Sequence, residues 1–196
     1  MKAKTHGVAI VEYENAFNPG NLIELIEQEC SRAWGYLHWE RSAVGEGDIS
    51  NVRTSMSCEL GPLGQDDISV ESIIPIAASW RKVWEQIEPY VWDYRNTFEL
   101  ELQEDEGYRL LKYGGGAEYH AHHDHFRSNS RSLSLVAFVN DNYAGGELVF
   151  PRFDVTIKPK KGTIVLFPSN FPYLHIANPV GEGNADVKYS LVTWFK

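Results

Sequence analysis

The sequence predicts a mainly β fold with flanking helices, and three observations carry that reading. Two stretches of the first half keep apolar residues at helical spacing. From Gly107 onward the pattern changes to short extended runs divided by Gly, Asn, Asp and Pro, as in an all-β sandwich or barrel. A length of 196 residues, 43% hydrophobic and 13% aromatic, suits one packed domain over 1–196 without staples.

In chain order, Val8 to Val11 reads as a first short strand. Asn18-Pro19-Gly20-Asn21 caps a helix whose apolar face is Leu22, Ile23, Leu25, Ile26 and Cys30, with its end expected at Gly35. Val52 to Cys58 is a candidate strand between two breaker-rich stretches, 42–50 and 57–72, which are candidate lids over a site. A second helix runs from about Ile76 to Phe98, with Trp80, Val83, Trp84, Ile87, Val91 and Tyr94 on one side and a kink possible at Pro89. Helical support thus covers about 18–98, and a β core about 107–195. The expected core strands are Tyr108 to Tyr113, Glu118 to His123, Ser132 to Val139, Glu147 to Phe150, Val155 to Lys158, Thr163 to Phe167, Tyr173 to Ile176 and Val187 to Phe195.

Charge and cysteine usage narrow the function. A net charge of -9 argues against a surface that grips a nucleic-acid backbone, so no nucleic-acid partner is expected. The only cysteines, Cys30 and Cys58, build neither a thiolate metal site nor a disulfide framework. No run approaches the roughly 18 to 20 apolar residues of a membrane span, and the first residues lack the apolar core of a signal peptide. A cytoplasmic protein with no membrane partner is the expectation.

The chemistry concentrates in His120-Ala121-His122-His123-Asp124-His125. Alternate residues of a strand face one side, so His122 and Asp124 point together and His123 points away. His175, on a neighbouring strand, can complete a set of two histidines and one carboxylate, which leaves coordination positions open for a chelating co-substrate and dioxygen. His120 shares the face and is a competing ligand, and a zinc site or a mere surface cluster remain open on spacing alone.

The residues around the cluster extend the pattern. Leu111 to Phe126 resembles the strand pair and His-x-Asp of the prolyl 4-hydroxylase family of iron(II)- and 2-oxoglutarate-dependent dioxygenases. Arg131 to Asp141, Gly145-Gly146-Glu147, Phe150-Pro151, Lys160 to Pro168, His175 to Val180 and Lys188 to Trp194 resemble its later strands, and Arg53-Thr54-Ser55 resembles a short element upstream. The resemblance implies a double-stranded β-helix, or jelly roll, with the N-terminal helices packed on one sheet.

It also implies that His122, Asp124 and His175 hold iron(II), with 2-oxoglutarate and dioxygen as co-substrates and ascorbate as an optional extra. The products would be succinate, carbon dioxide and a hydroxylated prolyl residue in a peptide or protein. Lys188 would pair with the distal carboxylate of 2-oxoglutarate, Tyr113 would donate its hydroxyl to the same group, and Tyr119, Arg131 and Trp194 would line the substrate groove. The sequence departs from the family at Leu148, where some members have threonine, at Phe138, where some have tyrosine, and in the long turn between His175 and Lys188. Asp124 fills the place that the related halogenases leave to chloride. Hydroxylation of a free amino acid, or a metal-binding module without turnover, are the competing functions.

Overall fold

A computed structural model describes residues 2–45, 47–61, 70–103, 105–126, 130–158, 160–181, 183 and 186–196. The chain opens with a hairpin, β1 (Ala3–His6) and β2 (Ile10–Tyr13), rather than the single strand expected at 8–11. Gly7 and Ala9 make the turn at positive φ, and all of β2 is buried because β10 (Thr163–Pro168) pairs on its other edge. Burial on both faces removes the alternation that would have marked β2.

Helix α1 (Leu22–Cys30) starts at Asn21 as the sequence predicts, but it stops short of Gly35, with Ser31 as its cap. Gly35 is instead a point of close approach: a Cβ there would run into the Glu29 carbonyl oxygen. Two short strands follow, β3 (Glu40–Arg41) and β4 (Met56–Glu59). β4 takes in part of the stretch expected as a loop at 57–72, and residues 62–69 lie outside the described ones. Helix α2 (Ile74–Thr97) carries Pro89 in its interior and buries Trp80, Val83, Ile87, Val91 and Tyr94.

The remaining strands are β5 (Arg109–Tyr113), β6 (Tyr119–His122), β7 (Leu133–Phe138), β8 (Leu148–Phe150), β9 (Val155–Ile157), β11 (His175–Ala177) and β12 (Lys188–Phe195). A 3-10 turn, Phe171–Tyr173, occupies the start of the run expected as the strand before His175, because Pro172 cannot donate to a ladder. One sheet has the order β1-β2-β10-β7-β12-β5-β4-β3 and the other β6-β11-β8-β9, every pair antiparallel. From β5 onward successive strands alternate between the large and the small sheet, with only β8 and β9 consecutive in one, which is the winding of the double-stranded β-helix.

The large sheet is buried on both faces. Leu133, Leu135, Ile164, Leu166 and Leu191 pack with the helices, while their neighbours Val165, Phe167, Val192 and Trp194 face the small sheet. Its strands therefore read as continuous apolar runs. Polar residues on the inner face stand out against that background and form the site. Among the described residues no helix is long and apolar enough to cross a membrane.

Candidate active site

His122 closes β6 and His175 opens β11, directly opposite it in register. Asp124 is not on the strand with His122, as alternation implied; β6 ends first, and the Ser169 carbonyl accepts the N–H groups of Asp124 and His125. The carboxylate still converges. Asp124 Oδ1 stands 3.7 Å from His122 Nε2 and Oδ2 stands 3.7 Å from His175 Nε2. Among the described residues these three form one group whose candidate ligand atoms lie within 4.8 Å of one another.

Each histidine is oriented by a carbonyl. The Nδ1 atoms of His122 and His175 donate to His120 O at 2.7 Å and Tyr173 O at 3.0 Å, which leaves both Nε2 lone pairs facing the carboxylate. Burial, with His175 beside it, pushes the His122 imidazole down to about 3 and keeps it neutral. Burial works against ionisation of Asp124, but His175 beside it and hydrogen bonds from Ser134 and Trp194 hold it down at about 2. Two neutral imidazole nitrogens and one carboxylate fit a divalent cation, and grouped on one side they fit non-haem iron(II) with open positions. The rival His120 is exposed and turns to Glu118 at 3.1 Å. His123 and His125 bond the carbonyls of His125 and Arg131 through Nδ1.

The group borders a cavity of about 340 Å³ between the two sheets. Lys188 is buried in its wall, donating to Gly146 O at 2.7 Å with its ammonium 5.1 Å from the Tyr113 ring and 5.5 Å from the Phe138 ring. Burial pushes it down to about 7, against the pull of Glu147. Tyr113, opposite Lys188 in β5, is raised by burial, while hydrogen bonds with Ser55 and Arg53 work the other way. Leu148 and Phe138 line the cavity as apolar walls.

Tyr119 lies flat on His122, ring centroids 3.5 Å apart at 18°, and the Arg53 guanidinium covers the Tyr119 ring at 4.7 Å. Arg131 stacks on Trp194 at 3.7 Å, and its Nε and Nη2 donate to Glu106 Oε2 at 2.9 and 2.6 Å. All the residues expected at the site border this one cavity: His122, Asp124, His175, Lys188, Tyr113, Tyr119, Arg131 and Trp194.

Glu106, Ser134 and Ser169 were not anticipated, and Arg53 was marked only as part of the upstream Arg53-Thr54-Ser55 element, with no role at the site. Ser134 interrupts an apolar run at an inward position, which was a legible signal. Glu106 sits in an acidic stretch with no periodicity and offered none.

Residues 108–196 match the 2OG-Fe(II) oxygenase superfamily. The chain is 28% identical to Prolyl 4-hydroxylase 2 of Arabidopsis thaliana over 196 aligned positions, covering 79% of this chain and 58% of that protein. It therefore spans less than two thirds of that relative. Among solved structures, a viral collagen prolyl hydroxylase from Paramecium Bursaria Chlorella virus-1 in complex with 2OG superposes with a TM-score of 0.61 at 19% identity over 96% of each chain. A prolyl hydroxylase from Trichoplax adhaerens, in complex with a peptide fragment of the hypoxia inducible factor oxygen degradation domain, gives 0.64 at 16% identity over 97% of this chain and 84% of that one. At these identities the structures speak to the fold, and they agree with the jelly roll expected from the sequence.

Proposed function

Since residues 108–196 match the 2OG-Fe(II) oxygenase superfamily, we propose that the chain hydroxylates a prolyl residue in a peptide or protein, using iron(II), 2-oxoglutarate and dioxygen. The observation that carries the reading is the convergence of His122, Asp124 and His175 on the cavity whose wall holds the buried Lys188. The prolyl substrate is supported by the names of the relatives and by the peptide bound in the Trichoplax protein.

His122 Nε2, His175 Nε2 and a carboxylate oxygen of Asp124 would hold the iron. Iron(II) with its co-substrates supplies the oxidation, in which 2-oxoglutarate becomes succinate and carbon dioxide and a substrate C–H becomes C–OH.

Lys188 binds the distal carboxylate of 2-oxoglutarate. A buried ammonium whose charged form is disfavoured by its surroundings gains most from a carboxylate partner. Tyr113, facing it across the β5–β12 ladder, presents its hydroxyl to the same end of the cavity. Leu148, Phe138, Val136 and Ala177 keep the walls apolar and exclude water. Tyr119, Arg131 and Trp194 form the rim on which an extended peptide lies, with flat rings that suit the face of a pyrrolidine.

Purified protein incubated with iron(II), 2-oxoglutarate and proline-containing peptides tests the reading. Succinate release with a gain of one oxygen on the peptide supports it, and His175→Ala should abolish both. Succinate release that no peptide stimulates, with no oxygen gained, would count against a peptide substrate.

A further inference from the structure

We propose that Ser134 and Ser169 form a two-hydroxyl relay that positions the Asp124 carboxylate for the metal; the proposal rests on the assignment of Asp124 as a ligand. Ser134 Oγ lies 2.6 Å from Asp124 Oδ2 and 2.8 Å from Ser169 Oγ. All three side chains are buried.

The donor directions are fixed by counting hydrogens. An ionised carboxylate only accepts, so the single Ser134 hydrogen goes to Asp124 Oδ2. The contact between the two serines then takes its hydrogen from Ser169, which donates into a Ser134 lone pair. Ser169 thereby sets the direction of Ser134, and Ser134 sets the carboxylate.

Ser169 also fixes the backbone that carries this carboxylate. Its carbonyl accepts Asp124 N–H at 3.1 Å and His125 N–H at 2.9 Å, and its own N–H donates to Ser132 O at 3.1 Å. Asp124 lies beyond the end of β6, so no strand ladder holds it; the joined ends of β7 and β10 do so instead. Ser134 sits between Leu133 and Leu135, which turn to the helix layer. An apolar residue at its inward position would fill the same space without a buried hydroxyl to satisfy, and the hydroxyl is matched to one acceptor.

The relay restrains rotation of the carboxylate. Oδ2 is engaged by Ser134, and Oδ1 stands on the His122 side. Oδ2 also stands 3.7 Å from His175 Nε2, so the carboxylate is held in one orientation between the two imidazoles before a metal enters. Ser134 and Ser169 are positioning residues.

The test uses cobalt(II) as the probe, titrated without oxygen or co-substrate into the full chain and into Ser134→Ala, Ser169→Ala and the double variant. Both the dissociation constant and the visible absorption of the bound ion are recorded. We expect Ser134→Ala to weaken binding about 10- to 100-fold, in the range of outer ligand-orienting groups, and to shift the absorption bands. Ser169→Ala should weaken it less, and the double variant should match Ser134→Ala, because the Ser169 hydroxyl acts only through Ser134 while the Ser169 backbone bonds are unchanged in the variant.

Wild-type affinity and spectrum in Ser134→Ala would overturn the relay, as would two losses that multiply in the double variant. Cobalt binding by the native chain that survives both His175→Ala and Asp124→Ala would overturn the ligand assignment itself. The two failures are thus distinguishable.

Discussion

Lys188 and Tyr113 face each other across the β12–β5 ladder, the ammonium 5.1 Å from the centre of the phenol ring and 2.7 Å from Gly146 O. No carboxylate makes an ion pair with Lys188 among the described residues, and Glu147 is the one acidic group that acts on its charge. In the proposed function the anion that pairs with this buried cation is the distal carboxylate of 2-oxoglutarate. Lys188→Ala should reduce binding of 2-oxoglutarate to the manganese(II)-loaded protein by more than tenfold, since a charge-assisted hydrogen bond in a buried site contributes about 1.5 to 3 kcal/mol. Isothermal titration reads the change, and an unaltered constant would remove Lys188 from the co-substrate site.

With Lys188 as the anchor, co-substrate binding should depend on pH. Burial lowers it from 10.5 to about 7 in the free protein, and the bound carboxylate holds its proton to higher pH. Binding therefore takes up a proton above pH 7. Affinity should be level below that point and weaken by up to about tenfold per pH unit above it. Without ligand the effect on the fold has the opposite sense: between pH 7 and 10.5 the unfolded chain holds a proton that the folded one lacks, so this group adds stability as pH rises. Titrations in buffers of different ionisation enthalpy report the uptake directly, and none would be seen if Lys188 were not the anchor.

Gly146 is held at φ 69° with its Cα under the lysine stem. A Cβ there would stand 3.0 Å from Tyr143 Cε2 and 3.1 Å from Lys188 Cδ. Gly146→Ala should cost about 1 to 2 kcal/mol for the left-handed backbone and also displace the ammonium. Urea unfolding gives the first quantity and co-substrate affinity the second. A variant that lost stability but bound 2-oxoglutarate normally would show that the Lys188 position is not set by this contact.

Arg131 is held by Glu106 and stacked on Trp194, whose side chain hydrogen-bonds Asp124. The two ion-pair partners are 10% and 13% exposed at their side chains, so removal of one leaves a largely buried charge. Glu106→Ala should lower stability by about 3 to 5 kcal/mol in denaturant titrations. A change within a few tenths of a kcal/mol would mean that water, not Glu106, satisfies the guanidinium.

The sequence made the inward face of the core legible wherever ordered motifs marked it. His122, His175 and Lys188 lie at strand positions that their spacing and neighbours picked out. Asp124 came out in the right place by a partly wrong route, because its direction is set by Ser169 across the sandwich rather than by strand alternation. The β1–β2 hairpin and the short β3 were hidden for physical reasons. β2 is buried on both faces and so shows no alternation, and β3 is two residues long. Arg53 and Glu106 reach the site through long-range packing from segments without periodicity, on Tyr119 and Arg131 respectively. No local pattern reports such contacts.

The central claim is that one cavity holds iron through His122, Asp124 and His175 and directs its oxidation at a prolyl residue. Mass spectrometry of proline-containing peptides after incubation with iron(II), 2-oxoglutarate and oxygen tests it most directly. A gain of one oxygen on proline is expected, matched by succinate and lost in Asp124→Ala. Oxygen on another residue, or on none while a free amino acid is hydroxylated, would contradict it.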